Sequence, residues 1–108
     1  MLHEWRVYQA VPGRLPALIQ RFAEVTVPLW RQHGIRPLAF WTVAIGPDSR
    51  ELHYLLAWDS LAERELRWDA FARDPAWLEA RAHSERDGPL VATISNRMLS
   101  PVEGLVEM

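Results

Sequence analysis

The chain has 108 residues, about half of them apolar and a quarter charged, and its formal net charge is -2. This length allows one domain with one modest core, and the charge offers no electrostatic basis for binding nucleic acid or an anionic membrane surface. The absence of cysteine excludes disulfides, thiolate zinc sites, iron–sulfur clusters and a cysteine nucleophile. Polar residues interrupt MLHEWRVYQA where a signal peptide needs an apolar run, and no stretch is long and apolar enough to cross a membrane. We therefore expect a cytoplasmic protein without membrane insertion.

The first elements are a predicted strand over residues 2–11 and a predicted helix that starts at Leu15. The strand alternates in polarity, and the PGR sequence that follows it breaks the pattern. The helix is indicated by apolar residues spaced three and four apart, namely Leu18, Phe22, Val25 and Leu29. Gly34 is a suitable C-terminal cap. Pro28 lies inside this pattern and is expected to bend the last turn or end the helix early, because it removes a backbone hydrogen bond.

The middle of the chain is predicted to form a hairpin of two strands, over residues 36–46 and 51–59. RPLAFWTVAIG and ELHYLLAWD are separated by a GPDSR turn, and both are apolar at successive positions. Because neither strand shows a consistently polar face, we expect both faces of each strand to be buried.

Two helices and a last strand complete the predicted order. Ser60 and Glu63 form a capping box, and Asp74 followed by Pro75 is a second helix start. The polar SERDG stretch is interpreted as a solvated turn, and LVATISNRML as the last strand.

The resulting order, βαββαβ, is that of an α+β, ferredoxin-like fold with a four-stranded antiparallel sheet. We expect one domain over residues 1–100 and an extended tail over 101–108. Helices on one side of such a sheet leave its other face open, and the apolar hairpin strands make an open face unfavourable. Two copies that pack their open faces together would cover it, so a homodimer is predicted.

The chain resembles the NIPSNAP family of the dimeric α+β barrel superfamily. The matching stretches cover nearly the whole length and are EWRVYQAVPGRLP, HGIRPLAFWTVAIGP, YLLAWDSLAERE, DPAWLEARAHSERDGPLV and NRMLSP. The resemblance implies a symmetric dimer in which two ferredoxin-like sheets close into one barrel. Most members of the family have no established activity, so the resemblance implies the fold more strongly than a function.

The first strand carries the strongest candidate site. Side chains repeat every two residues along a strand, so Glu4, Arg6 and Tyr8 share one face. If Trp5 and Val7 point to the helices, the three polar residues point into the barrel between the two sheets. Arg6 would then fix a carboxylate and Tyr8 would donate a hydrogen bond to a ligand oxygen. The alternative is a buried ion-pair network that sets the register of the dimer.

Other candidate residues lie on the hairpin strands. His53 is a candidate proton carrier, with Glu4 as the second candidate, and either could equally be structural. Phe40 or Trp41, together with Tyr54, is expected to line an apolar cavity and contact a ligand. The histidines show no metal-ligand spacing, so we predict no metal site and no cofactor.

Two functions remain open on the sequence alone. The first is a binding site in the barrel interior for a small hydrophobic, oxygen-bearing molecule, either as a cofactor-independent enzyme or without catalysis. The second is a non-catalytic dimeric module that acts through protein contacts. A molecule bound beside Arg6 would favour the first, whereas an interior filled by aromatic side chains without a void would count against an enzyme.

Overall fold

A computed structural model describes residues 1–105 and has the predicted α+β architecture. Its antiparallel sheet has the strand order β2-β3-β1-β4, and three helices pack on one face. The strands are β1 (Leu2–Ala10), β2 (Arg36–Thr42), β3 (Glu51–Trp58) and β4 (Val91–Leu99). Helix α1 (residues 15–33) precedes β2, and α2 (Leu61–Ala72) and α3 (Pro75–Ser84) connect β3 to β4. The ferredoxin-like order predicted from the sequence is confirmed.

Helix α1 has three consecutive parts: α-helical Leu15–Arg21, π-helical Phe22–Thr26 and α-helical Val27–His33. Of the two expectations for Pro28, an early end of the helix is wrong, because the helix continues to His33. The proline is one of the first residues after the π-helical turn, where the hydrogen-bond register changes and its missing N–H is tolerated. Gly34 closes the helix as predicted, in a left-handed conformation with φ of 72°.

Both predicted caps are present, and they fix where α2 and α3 begin. The Glu63 backbone N–H donates to Ser60 Oγ at 3.1 Å, and the Glu63 carboxylate accepts from the Asp59 N–H at 3.1 Å. The Ala76 N–H donates to Asp74 Oδ1 at 2.9 Å. These local signals set the first residues of both helices.

The hairpin strands differ in burial from the prediction. In β3, Leu52, Tyr54 and Leu56 are buried, while His53 and Leu55 on the other face are only half-buried. Strand β2 is shorter than predicted, and much of it is exposed on both faces in the single chain, because it is an edge strand with β3 as its one neighbour. The expectation that both faces of both strands are buried is therefore wrong for the isolated chain.

The orientation of β1 is the reverse of the arrangement considered above. Glu4, Arg6 and Tyr8 are buried against the helices, with exposed fractions of 0%, 8% and 8%. Trp5 and Val7 lie half-buried on the open face of the sheet. The polar residues of β1 therefore lie between the sheet and the helices, and not between two sheets.

The extended tail predicted for residues 101–108 is only partly described. Residues 103–105 form a turn, with Gly104 at a φ of 80°. Residues 106–108 lie outside the described part of the chain, so that portion of the prediction is not assessed.

Candidate ligand-binding cavity

A cavity of about 500 Å³ lies between the sheet and the helix layer. Arg6 and Tyr8 line it from β1, and α1 contributes a buried arginine, Arg21. Its other walls are largely aromatic, formed by Phe22, Trp30, Trp68, Phe71 and Trp77. Exposed residues of α3 and β4, such as Arg81 and Ile94, line its outer end. The size of the cavity and its aromatic walls are typical of small-molecule sites, and several charged and hydroxyl groups also line it.

Behind Arg6, the carboxylate of Glu4 accepts five hydrogen bonds from four side chains. Glu4 Oε1 accepts from Trp58 Nε1 at 3.0 Å and from Arg64 Nε at 2.8 Å. Glu4 Oε2 accepts from Arg6 Nη1 at 2.9 Å, Arg64 Nη2 at 3.0 Å and Asn96 Nδ2 at 2.9 Å. This carboxylate is saturated with donors from β1, β3, α2 and β4, so it ties these four elements together.

These contacts determine the protonation of Glu4. Burial alone would raise its pKa, but the hydrogen bonds from Arg64, Asn96 and Arg6 outweigh burial and hold the pKa at about 2. Burial would likewise lower the pKa of Arg6, but the neighbouring tyrosine hydroxyls and Glu4 raise it. A carboxylate with this pKa and no free lone pair is a poor proton acceptor. The geometry therefore favours the structural alternative for Glu4.

Acid should remove the contribution of Glu4 to stability. Its pKa is 4.5 unperturbed and about 2 in the folded chain, so the stabilisation is present above pH 4.5 and is lost as the pH falls toward 2. The difference corresponds to about 3 kcal/mol. Urea unfolding between pH 5 and pH 2 should show this loss, and the variant Glu4→Gln should lack it. Identical pH dependence in the two proteins would contradict the assignment.

A chain of hydrogen bonds runs from Arg6 to the cavity wall. Arg6 Nε donates to Tyr54 Oη at 2.7 Å, and Arg6 Nη2 donates to Tyr8 Oη at 3.3 Å. Tyr54 Oη in turn donates to Tyr8 Oη at 3.1 Å. Burial raises the pKa of Tyr54, which keeps its hydroxyl protonated. The Tyr8 hydroxyl is therefore held in the cavity wall by hydrogen bonds to Arg6 and Tyr54.

Arg21 is the second cation at the cavity, and its hydrogen bonding is incomplete. Its Nη1 donates to Ser84 Oγ at 3.2 Å and to Glu85 Oε1 at 3.4 Å, and its guanidinium lies 5.3 Å from the centre of the Trp77 ring. Its buried Nε–H has no acceptor in the described chain. Burial lowers the pKa of Arg21, and the nearby Glu85 only partly offsets this effect.

Trp30 provides a further donor. The side chain is fully buried, lines the cavity, and has an indole Nε1–H without an acceptor among residues 1–105. Buried polar groups without partners are rare, because each costs about 1–3 kcal/mol. Two such donors, on Arg21 and Trp30, belong to residues that line one cavity.

The structure brings some of the predicted site residues together and separates others. Arg6, Tyr8 and Tyr54 form one cluster, and Phe40 packs behind it with its ring centre 5.1 Å from that of Tyr54. Trp41 is on the open face of the sheet, in a groove that also contains His53. The predicted ligand contacts are therefore divided between the two faces, and only Arg6 and Tyr8 line the cavity itself.

His53 has both ring nitrogens engaged on the open face. Trp5 Nε1 donates to its Nδ1 at 3.2 Å, so Nε2 carries the proton and donates to Glu51 Oε1 at 3.0 Å. The imidazole therefore offers no free lone pair to a substrate in this arrangement. It is also on the opposite side of the sheet from the cavity.

Sequence reasoning missed Arg21 and Trp30, and for Arg21 a signal was present. Arg21 lies three residues after Leu18 and four before Val25, inside the apolar stripe of α1. A cation at such a position faces the core and needs a partner there. Trp30 carries no comparable signal, because nothing in the sequence indicates that its N–H lacks an acceptor.

Glu85 lines the cavity, although its stretch was interpreted as a solvated turn. Within residues 1–105, no three histidine, aspartate or glutamate side chains are placed to hold a metal ion. No helix in that part of the chain is long and apolar enough to cross a membrane.

A family model for NIPSNAP matches residues 3–104. The chain belongs to the NIPSNAP family. A NIPSNAP family protein of unknown function from Agrobacterium tumefaciens is similar over 96% of this chain and 90% of its own, with 25% identity and a TM-score of 0.83. An uncharacterised NIPSNAP domain protein from Burkholderia xenovorans has 20% identity and a TM-score of 0.84, with 99% and 100% of the two chains covered.

The NIPSNAP fold extends to a more distant structure. An antibiotic biosynthesis monooxygenase has a TM-score of 0.61 and 14% identity, with 94% of this chain and 99% of that one covered. At this identity the likeness concerns the fold alone. No curated protein matches the chain, so the function has to be argued from the NIPSNAP domain's own cavity.

Proposed function

We propose that this NIPSNAP protein binds a small, largely apolar, oxygen-bearing molecule in the cavity between its sheet and its helices. The observation that carries the proposal is a pair of buried donors without acceptors among residues 1–105, on Arg21 and Trp30, which both line one cavity. A ligand oxygen would accept from them and remove the cost of leaving them unpaired. The site thus differs from the inter-sheet position expected from the sequence.

The aromatic walls support the apolar part of this ligand. Trp68 stacks on Arg6, whose guanidinium lies 4.6 Å from the ring centre, and Trp77 contacts Phe71 with ring centres 4.9 Å apart. These contacts hold the rings in place before a ligand enters. A preformed aromatic wall binds a planar apolar group with little loss of side-chain entropy.

The proposal is for binding, with one group placed for chemistry. The Tyr8 hydroxyl, held by Arg6 and Tyr54, can donate to a carbonyl or enolate oxygen. Glu4 does not line the cavity and has no free lone pair, and His53 is on the other face. Of the groups predicted to take part in chemistry or binding, Tyr8 is the one placed at the cavity to act as a donor in a cofactor-independent reaction.

Removing the Tyr8 hydroxyl is expected to weaken binding. With 2-naphthamide and 2-naphthoate as probes, Tyr8→Phe should raise the dissociation constant by about three- to tenfold, the effect of one hydrogen bond. Calorimetry gives the constants, and the ¹⁵N–¹H signal of the Trp30 indole, assigned with Trp30→Phe, reports whether the probe is in the cavity.

The matched control for this experiment is Trp41→Phe, a substitution on the opposite face that should leave both constants unchanged. If neither probe binds to the unmodified protein, or if binding leaves the Trp30 indole signal unmoved, the proposed site is wrong.

We further propose that the protein is a homodimer joined through the open face of the sheet. Trp5, Leu55 and the half-exposed Trp41 form an apolar groove on that face, together with Leu99. Such a groove favours burial against a second copy. Light scattering at micromolar concentration should give twice the mass of one chain, and the mass of a single chain would contradict the proposal.

The same face supports a second candidate function. If the dimer presents further surface to another protein, the chain would act as a non-catalytic interaction module. Ile45, 98% exposed in the loop after β2, extends the apolar surface beyond the sheet. A dimer that binds neither naphthalene probe would favour this alternative.

A further inference from the structure

We infer that the ligand of the cavity is an anion, an aromatic or similarly planar carboxylate whose charged end lies against Arg21 and Tyr8. This inference rests on the proposed function and adds the charge and the chemical class of the ligand. The starting observation is that cations outnumber anions around the cavity. A ligand with a neutral oxygen would leave this excess of positive charge uncompensated.

The charges around the cavity do not balance. At the inner end, Arg6 and Arg64 share the single carboxylate of Glu4. At the outer end, Arg21 and Arg81 share the single carboxylate of Glu85, at 3.4 and 3.7 Å. Each group therefore has one positive charge more than its negative charges.

The two groups differ in how well the excess charge is satisfied. The inner group has short hydrogen bonds to a saturated carboxylate, so it is complete without a ligand. In the outer group, only one nitrogen of Arg21 has acceptors, and both of its bonds are long. Arg21 is nonetheless 95% buried as a side chain. Burying a cation with so few partners is unfavourable unless an anion completes its coordination.

The donors suit a carboxylate. Arg21 Nε–H is the unpaired donor of a planar guanidinium, and the Trp30 indole offers a second unpaired proton. A carboxylate has two oxygens with about four acceptor sites, enough for both donors and for the Tyr8 hydroxyl beside them. An amide or ketone oxygen can also accept two bonds, but it brings no negative charge to the surplus cation of Arg21 and Arg81.

The position of the charge within the cavity also favours a carboxylate on a planar apolar body. Arg21 lies against Trp77 and is buried, whereas Arg81 at the outer end is exposed. The space between these cations and Arg6 is bounded by Phe22, Trp68 and Phe71. A ring carrying a carboxylate can therefore stack on these side chains while its anion meets Arg21.

The test compares 2-naphthoate with 2-naphthamide, which share the ring system and differ in charge. Calorimetry on the unmodified dimer or monomer at pH 7 should show the carboxylate binding at least tenfold more tightly, the effect of one charge-assisted hydrogen bond. In Arg21→Gln the preference should fall below threefold. Arg31→Gln removes the same charge from an exposed position of α1, where the side chain makes no hydrogen bond or ion pair within residues 1–105, and should keep the preference.

The outcomes separate this inference from the function on which it rests. Equal binding of the two probes, or tighter binding of the amide, with a shifted Trp30 indole signal would overturn the anion and leave the cavity as a site. Absence of binding by both probes would overturn both. If Arg21→Gln still prefers 2-naphthoate to 2-naphthamide, a group other than Arg21 binds the carboxylate, and the assignment to Arg21 is wrong. If Arg21→Gln does not fold, the probe pair on the unmodified protein still decides whether the ligand is an anion, and Arg21→Lys then tests the role of Nε.

Discussion

Replacing Glu4 by glutamine is expected to lower the free energy of unfolding by about 3–5 kcal/mol, the usual cost of removing one partner of a buried ion pair. The variant keeps the size of the side chain but leaves Arg6 and Arg64 without their shared anion. The amide nitrogen of the glutamine would also replace one of the two carboxylate oxygens. It would then face the N–H donor of Trp58 or of Asn96 at a position where an acceptor is needed. Urea unfolding at pH 7 measures the effect.

Glu65→Gln is the matched control, because Glu65 is exposed on α2 and makes no side-chain hydrogen bond or ion pair in the described chain. It should change stability by less than about 0.5 kcal/mol. A loss below about 1 kcal/mol in Glu4→Gln would mean that the five hydrogen bonds to this carboxylate contribute little. The conclusion that the Glu4 carboxylate ties β1, β3, α2 and β4 together would then be wrong.

Introducing a charge at Leu55 is expected to separate the proposed dimer. Leu55 lies on the central strand β3, half-buried on the open face beside Trp5 and Trp41. In the dimer, the second copy would remove a carboxylate at this position from water without providing an oppositely charged partner. Burying such an unpaired charge costs several kcal/mol. Leu55→Glu should therefore raise the dissociation constant of the dimer at least a hundredfold.

Analytical ultracentrifugation over a range of concentrations measures this change, and circular dichroism verifies that the variant is folded. Leu66→Glu is the control, since Leu66 is 73% exposed on α2, away from the open face. It should leave the dimer intact. An unchanged dimer in Leu55→Glu would mean that the copies meet through another surface.

Much of the fold could be predicted from local signals. Ser60, Asp74 and Gly34 act on backbone groups within a few residues, so their roles can be read from short stretches. The order of strands and helices follows from patterns of the same range. The early end of the helix expected at Pro28 was wrong because a π-helical turn precedes the proline. No short sequence pattern indicates such a turn.

The candidate site was predicted only in part, and the reason is the range of its contacts. Arg6 and Tyr8 were found because they share a strand face, which alternation reveals. Arg21 reaches the same cavity from α1, more than ten residues away, and its partners Ser84 and Glu85 follow more than sixty residues later. No local pattern connects positions this far apart.

The sequence by itself determined which residues of β1 act together. A period of two assigns Glu4, Arg6 and Tyr8 to one face and Trp5 and Val7 to the other, whatever the sheet packs against. Only the tertiary structure decided which of these faces the helices cover. The polar face is the covered one because Arg64 of α2 and Asn96 of β4 arrive there to pair with Glu4. Burial of a charge depends on such distant partners, and alternation along one strand cannot show them.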